Sequence, residues 1–119
     1  IVKGWIDAEG KTQEAVFDVA CAGGVAVNPE TQRCPDNNAA VDAATCATSA
    51  DTGADELRAV WRDPTYVAGE NAAYYVRALE NPTCRWSSWD ALRAGTLPNP
   101  ALASTLQERV WSSPIWLEN

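Results

Sequence analysis

Apolar and polar residues alternate most regularly near the start of the chain. Ile1, Lys3 and Trp5 alternate with Val2, Gly4 and Ile6, the period of two that a strand imposes. Asp7-Ala8-Glu9-Gly10-Lys11 follows as a turn, with Gly10 free to take positive φ. From Gln13 to Ala20, Ala15, Phe17 and Val19 fall on one face, and Glu14, Val16 and Asp18 on the other. Residues 1–20 are therefore predicted as a β-hairpin. Glu56–Arg62 alternates in the same way, with Leu57, Ala59 and Trp61 opposite Arg58, Val60 and Arg62, and is predicted as a strand ended by Asp63-Pro64. Ala72–Glu80 carries two signals. Ala72, Tyr75, Val76 and Leu79 fit a helical stripe, whereas Tyr74-Tyr75-Val76 favours a strand; the expectation is a strand stopped by Asn81-Pro82. Trp89–Ala94 is predicted as a short helix capped by Ser87 or Ser88, with Asp90 in its first turn and Gly95 just past its end. After the connector Leu97-Pro98-Asn99-Pro100, the tail from Thr105 to Leu117 is expected to close as a strand interrupted at Pro114, which suits an edge or a bulge.

Residues 21–55 break this pattern. Gly23-Gly24, Asn28-Pro29, Cys34-Pro35, Asp36-Asn37-Asn38 and Asp51-Thr52-Gly53 are turn formers, and Val41 with a few alanines supplies nearly all the apolar material. So long a loop in a compact domain needs an anchor. Cys21, Cys34, Cys46 and Cys84 offer one; four cysteines allow three pairings. Without a CxxC and without any histidine, neither a zinc knuckle nor a thioredoxin-like pair is indicated. Disulfides place the chain in the periplasm or outside the cell.

Composition narrows the class. At 119 residues, 46 % apolar and with six tryptophans, the chain has material for one folded domain, 1–119. Its net charge of −7, with nine scattered basic residues, disfavours nucleic acid and anionic membrane as partners. No segment has the length of a membrane helix. The opening Ile1-Val2-Lys3-Gly4-Trp5, with no methionine anywhere in the chain, reads as a strand entered midway and suggests that the covalent chain began upstream.

The chemistry on offer is limited. The absence of histidine removes the usual general base and every Ser-His-Asp, Cys-His or zinc-hydrolase arrangement. Gly23-Gly24 lacks the P-loop pattern. Asp51-Thr52-Gly53-Ala54-Asp55-Glu56 is rich in carboxylates but misses the EF-hand template, and reads as a solvated turn. Glu80 with Glu108 is a carboxylate pair of the kind any acidic chain contains. Arg85, Trp86, Trp89, Arg109 and Trp111, with Trp116, form an aromatic and arginine group suited to stacking. In a small domain such residues fill the core or cover an interface, which predicts Trp86, Trp89, Trp111 and Trp116 buried or on a flat apolar face. The alternative is a ligand surface.

Asp63-Pro64, the run from Tyr74 to Ala91 (YYVRALENPTCRWSSWDA) and Gln107 to Trp116 (QERVWSSPIW) resemble the C-terminal end of a large bacterial protein family of unknown function, and Ile1–Asp7 resembles a segment shortly before it. Members of that family look like relatives of the polymerase-and-histidinol-phosphatase (PHP) superfamily of metal-dependent phosphoesterases. The resemblance implies that a divalent metal and its histidine ligands belong to an upstream domain, with no cofactor in this chain. It also implies strands at Ala72–Glu80 and around Ile115, and an exported or lipid-anchored location.

The expected fold is mainly β, a partial β-sandwich-like domain with one short helix and a long disulfide-tethered loop. The expected pairs are Cys21–Cys34, closing the Asn28-Pro29 region, and Cys46–Cys84, tying the loop to the end of the Tyr-Tyr-Val strand. The expected role is a non-catalytic structural portion packed on the upstream domain. Two other roles compete with it: a binding module whose Trp/Arg group holds a saccharide or peptide, and a contributor of Arg85 or Arg109 to a phosphoesterase site completed upstream.

Overall fold

A computed structural model describes residues 1–118. The protein is mainly β, with antiparallel sheets, one α-helix and two disulfides. Its chain divides into two compact units. The first comprises Ile1–Pro35, Glu56–Ala78 and the segment from Val110 onward; the second comprises Asp36–Asp55 and Leu79–Arg109.

The first unit is built on a four-stranded sheet, in the order β2-β1-β3-β8. β1 (Val2–Ile6) and β2 (Thr12–Val16) form the expected hairpin, with Val2 opposite Val16 and Ile6 opposite Thr12. The Asp7 carboxylate closes the turn by accepting the Glu9 and Lys11 N–H groups at 3.1 and 2.8 Å, and Gly10 takes φ 76°. The return strand is shorter than expected: it ends at Val16 rather than Ala20, because Asp18 turns to accept the Cys34 N–H at 2.7 Å. β3 (Ala72–Tyr75) pairs on the other side of β1, and β8 (Ile115–Leu117) pairs on the outer side of β3. β1 is therefore central, and both of its faces are covered at Val2 and Lys3. Val2, Phe17 and Ala72 are the buried apolar residues of this unit.

Glu56–Arg62 is not a strand, contrary to its alternation. A strand needs a ladder partner, and this segment finds none: Val60 is fully exposed and Arg58 pairs locally with Glu56. Trp61 alone of these side chains turns inward, its ring tilted against Phe17 at 5.1 Å and edge-on to Tyr74 of the sheet at 6.4 Å. Residues 56–60 stay exposed and add no edge to the sheet.

Ala72–Glu80 is extended, as predicted, but in two pieces, β3 and β4 (Arg77–Leu79). β4 pairs with β7 (Arg109–Trp111), and the boundary between the units falls within these two strands.

In the second unit, β5 (Thr83–Cys84) pairs with β6 (Thr105–Leu106). The helix α1 spans Trp86–Ala94, starting three residues before the prediction with Arg85 at its N-cap. Ser87 and Ser88 are thus inside the helix and do not cap it, and Asp90 lies beyond the first turn. Ser88 is buried and donates its hydroxyl to the Ser104 carbonyl at 2.7 Å, so its local side-chain chemistry serves a tertiary contact. Gly95 closes the helix as expected, at φ 63°, donating its N–H to Leu92.

The long loop is shared between the units, and each part has its own anchor. Cys21–Cys34 holds the first part and Cys46–Cys84 the second, the pairs expected from the sequence. In the second part Asn37 donates to the Thr52 carbonyl and to Asn81 Oδ1 at 2.7 and 2.8 Å, and Asn81 donates to Thr52 Oγ1 at 3.2 Å. Amide side chains and a disulfide do here what an apolar core does elsewhere.

Candidate functional site

Two features stand out in the first unit: a buried ion cluster and an open hollow beside it. β1 directs Lys3 and Trp5 to the same face, and the β1–β3 register sets Lys3 opposite Tyr74. Residues 61–70 cover that face. Lys3 Nζ lies 3.0 Å from Asp63 Oδ2 and 2.7 Å from Glu70 Oε2, with its side chain 1 % exposed. It also donates to the carbonyl and hydroxyl of Thr65 at 3.3 and 3.4 Å and sits 4.8 Å from the Trp5 ring. Glu70 Oε2 meets no donor at a hydrogen-bonding angle, so its contact with the ammonium is an ion pair. Asp63 Oδ1 accepts the Thr65 N–H and hydroxyl, both at 2.7 Å, and Oδ2 accepts the Tyr74 hydroxyl at 2.7 Å.

These contacts set the protonation states. Burial opposes the charge on Lys3, but the carboxylates of Glu70 and Asp63 beside it outweigh burial and hold the ammonium above its ordinary pKa. Burial likewise opposes the Asp63 carboxylate, yet the bonds from Tyr74, Thr65 and Lys3 bring it down to about 2. Tyr74 is raised by burial and by its bond to the Asp63 carboxylate. The cluster is thus a locked ionic network. Its lysine is protonated and cannot act as a nucleophile.

The hollow encloses about 640 Å³. Trp61, Tyr66 and Tyr74 form its aromatic walls, and Ile115 and Leu117 of β8 its apolar floor, with Arg62 and Asp63 also on the lining. None of these was singled out from the sequence as a binding residue. The available signal was Trp61-Arg62, which the strand reading assigned to sheet, with Asp63-Pro64 as its stop.

The residues singled out from the sequence lie elsewhere. Arg85, Trp86 and Trp89 are at the start of α1, and Arg109 and Trp111 are on β7. Of the two placements expected for the tryptophans, burial or a flat apolar face, burial does not hold: Trp86, Trp111 and Trp116 are more than half exposed, and Trp89 is 38 % exposed with Arg93 5.6 Å from its ring. The short strands β7 and β8 have too little sheet around them to cover both faces. Arg85 Nε is buried without a hydrogen-bond partner. Glu80 and Glu108 are joined through main chain, the Glu80 N–H donating to the Glu108 carbonyl at 3.0 Å, and both residues are exposed. Among the described residues no group of three or more His, Cys, Asp or Glu is placed to hold a metal. No described helix is long and apolar enough to cross a membrane.

No curated protein and no solved structure matches the chain. A family model does match, and it covers residues 1–119. The chain belongs to that family, described as a protein of unknown function (DUF3604).

Proposed function

We propose that this chain is a non-catalytic structural portion of a larger exported protein, packed through its exposed aromatic strands on an upstream domain. The observation that carries the reading is the segment Val110–Leu117, where Val110, Trp111, Ile115, Trp116 and Leu117 all stay substantially exposed within eight residues. Monomer surfaces rarely expose so many large apolar side chains over so short a stretch of chain, whereas interfaces are enriched in tryptophan. β8 is also a sheet edge, with main-chain groups open to a neighbour. The ionic cluster, closed on itself, supports a structural role for the sheet beneath. Two disulfides support an exported location. The upstream partner in this reading is a PHP-like, metal-dependent phosphoesterase domain that brings its own divalent ion, and nucleic acid is not a partner of this acidic surface.

The test uses the full-length protein carrying Trp111→Ser and Trp116→Ser. Weakened docking by about 1.4 kcal/mol releases this region to limited proteolysis about tenfold faster. The same substitutions in the isolated chain leave its denaturant midpoint unchanged. Equal proteolysis of variant and parent would contradict the proposal.

A further inference from the structure

We propose that the hollow beside Tyr74 binds a small aromatic carboxylate. Its volume of about 640 Å³ falls in the range of small-molecule sites, roughly 300–1,000 Å³. Trp61 is held between Phe17 and Tyr74, at 5.1 and 6.4 Å, so one aromatic wall is rigid before any ligand arrives. Tyr66 and Ile115 are exposed at the hollow, and Leu117 completes its apolar floor. Together they offer stacking and apolar surface to a flat ring.

The polar groups decide the class of ligand. Both oxygens of Asp63 are occupied: Oδ1 by the Thr65 N–H and hydroxyl, Oδ2 by Tyr74 and Lys3. The Lys3 ammonium that faces it is shared with Glu70, so the three groups together carry one negative charge. The Tyr74 hydroxyl is committed to Asp63. Two polar side chains on the lining remain without a side-chain hydrogen bond or ion pair among the described residues, the Arg62 guanidinium and the Tyr66 hydroxyl. Both supply donors. A neutral sugar asks for several donors and acceptors around its ring, and with Asp63 and Tyr74 committed the Tyr66 hydroxyl is the one side-chain acceptor left on the described lining. A carboxylate only accepts, and a guanidinium is its best-matched partner. An apolar cation would meet Arg62 with the wrong sign. The ligand is therefore a ring for the aromatic walls joined to one carboxylate for Arg62 and Tyr66. The site lies wholly within the first unit; it shares Ile115 and Leu117 with the packing surface proposed above, so it is tested in the isolated chain, where that packing plays no part.

The experiment titrates the isolated chain with naphthalene-1-acetate and with its neutral counterpart, naphthalene-1-ethanol, following backbone amide shifts by NMR. The acid is expected to bind about tenfold tighter than the alcohol, with shifts confined to residues 61–66, 74 and 115–117. Arg62→Gln should reduce the acid to the affinity of the alcohol, since Arg62 is exposed and its replacement leaves the fold intact. Tyr66→Ala should weaken both probes. Arg93→Gln, on α1, should change neither. Equal binding of acid and alcohol, an Arg62→Gln variant that binds the acid as well as the parent, or no saturation by the acid up to about 10 mM would each overturn the proposal.

Discussion

Lys3 and Asp63, far apart in the chain, hold a 3.0 Å ion pair in which the lysine side chain is 1 % exposed. The pair fixes the 61–70 segment on the central strand, and it does so without apolar side chains. Removing one partner leaves buried charge uncompensated. Lys3→Met is therefore expected to cost about 3–5 kcal/mol in a urea melt, because it strands both Asp63 and Glu70. An unchanged midpoint would show that the cluster is solvated.

Stability should fall at both ends of the pH scale. Asp63 drops from its ordinary 3.8 to about 2 on folding, so its contribution is complete above the unfolded value and is lost as pH falls from about 5 through 2. The shift corresponds to roughly 2 kcal/mol. Lys3 and Tyr74 are raised above their ordinary 10.5 and 10.0, so their contributions are present below those values and disappear as pH rises through the higher folded ones. Between about 5 and 9 these three contributions are constant, and denaturant midpoints measured against pH should show there only a small rise toward 8, where the Ile1 ammonium, lowered from its ordinary 8.0 by burial, is shed more readily by the folded chain. In Asp63→Asn the acid limb should flatten.

The disulfides should matter unequally. The sequence separations are 13 for Cys21–Cys34 and 38 for Cys46–Cys84. On the chain-entropy account these loops give about 3 and about 4 kcal/mol. The second unit has only short strands and one helix around Cys46 and Cys84. Cys46→Ser with Cys84→Ser should thus unfold residues 36–55 in amide exchange, while Cys21→Ser with Cys34→Ser should leave β1–β3 protected. The reverse order would contradict the account.

α1 supplies a contrast between a tryptophan and a serine. Trp89 is 38 % exposed and stacks with Arg93, an exposed pairing of about 0.5–1 kcal/mol, so Trp89→Ala costs less than the 3–5 kcal/mol of a buried ring. Ser88 is buried and bonded to Ser104, and Ser88→Ala should cost about 1–3 kcal/mol. Thermal melts of the two variants would rank them. If Trp89→Ala loses far more than Ser88→Ala, then Trp89 holds the helix down.

Much of the first unit was legible because its signals are local. The period of two in Ile1–Ile6 and Gln13–Val16, with Gly10 between, defines the hairpin and its faces. The disulfide pairs followed from the need to anchor an apolar-poor loop. Glu56–Arg62 misled because alternation reports which way side chains point and says nothing of whether a partner strand exists. Ser88 misled for a related reason, since cap chemistry and tertiary hydrogen bonding use the same hydroxyl. The Lys3 cluster was invisible: its acids lie far along the chain, and only the fold brings them to β1.

The central claim is that Val110–Leu117 is a packing surface. Hydrogen exchange of the Val110–Leu117 amides, compared between the isolated chain and the full-length protein, tests it most directly. Docking worth about 1.4 kcal/mol or more should slow their exchange in the full-length protein by about tenfold or more, with the β1–β2 hairpin unchanged. Equal exchange rates in the two proteins would contradict the claim.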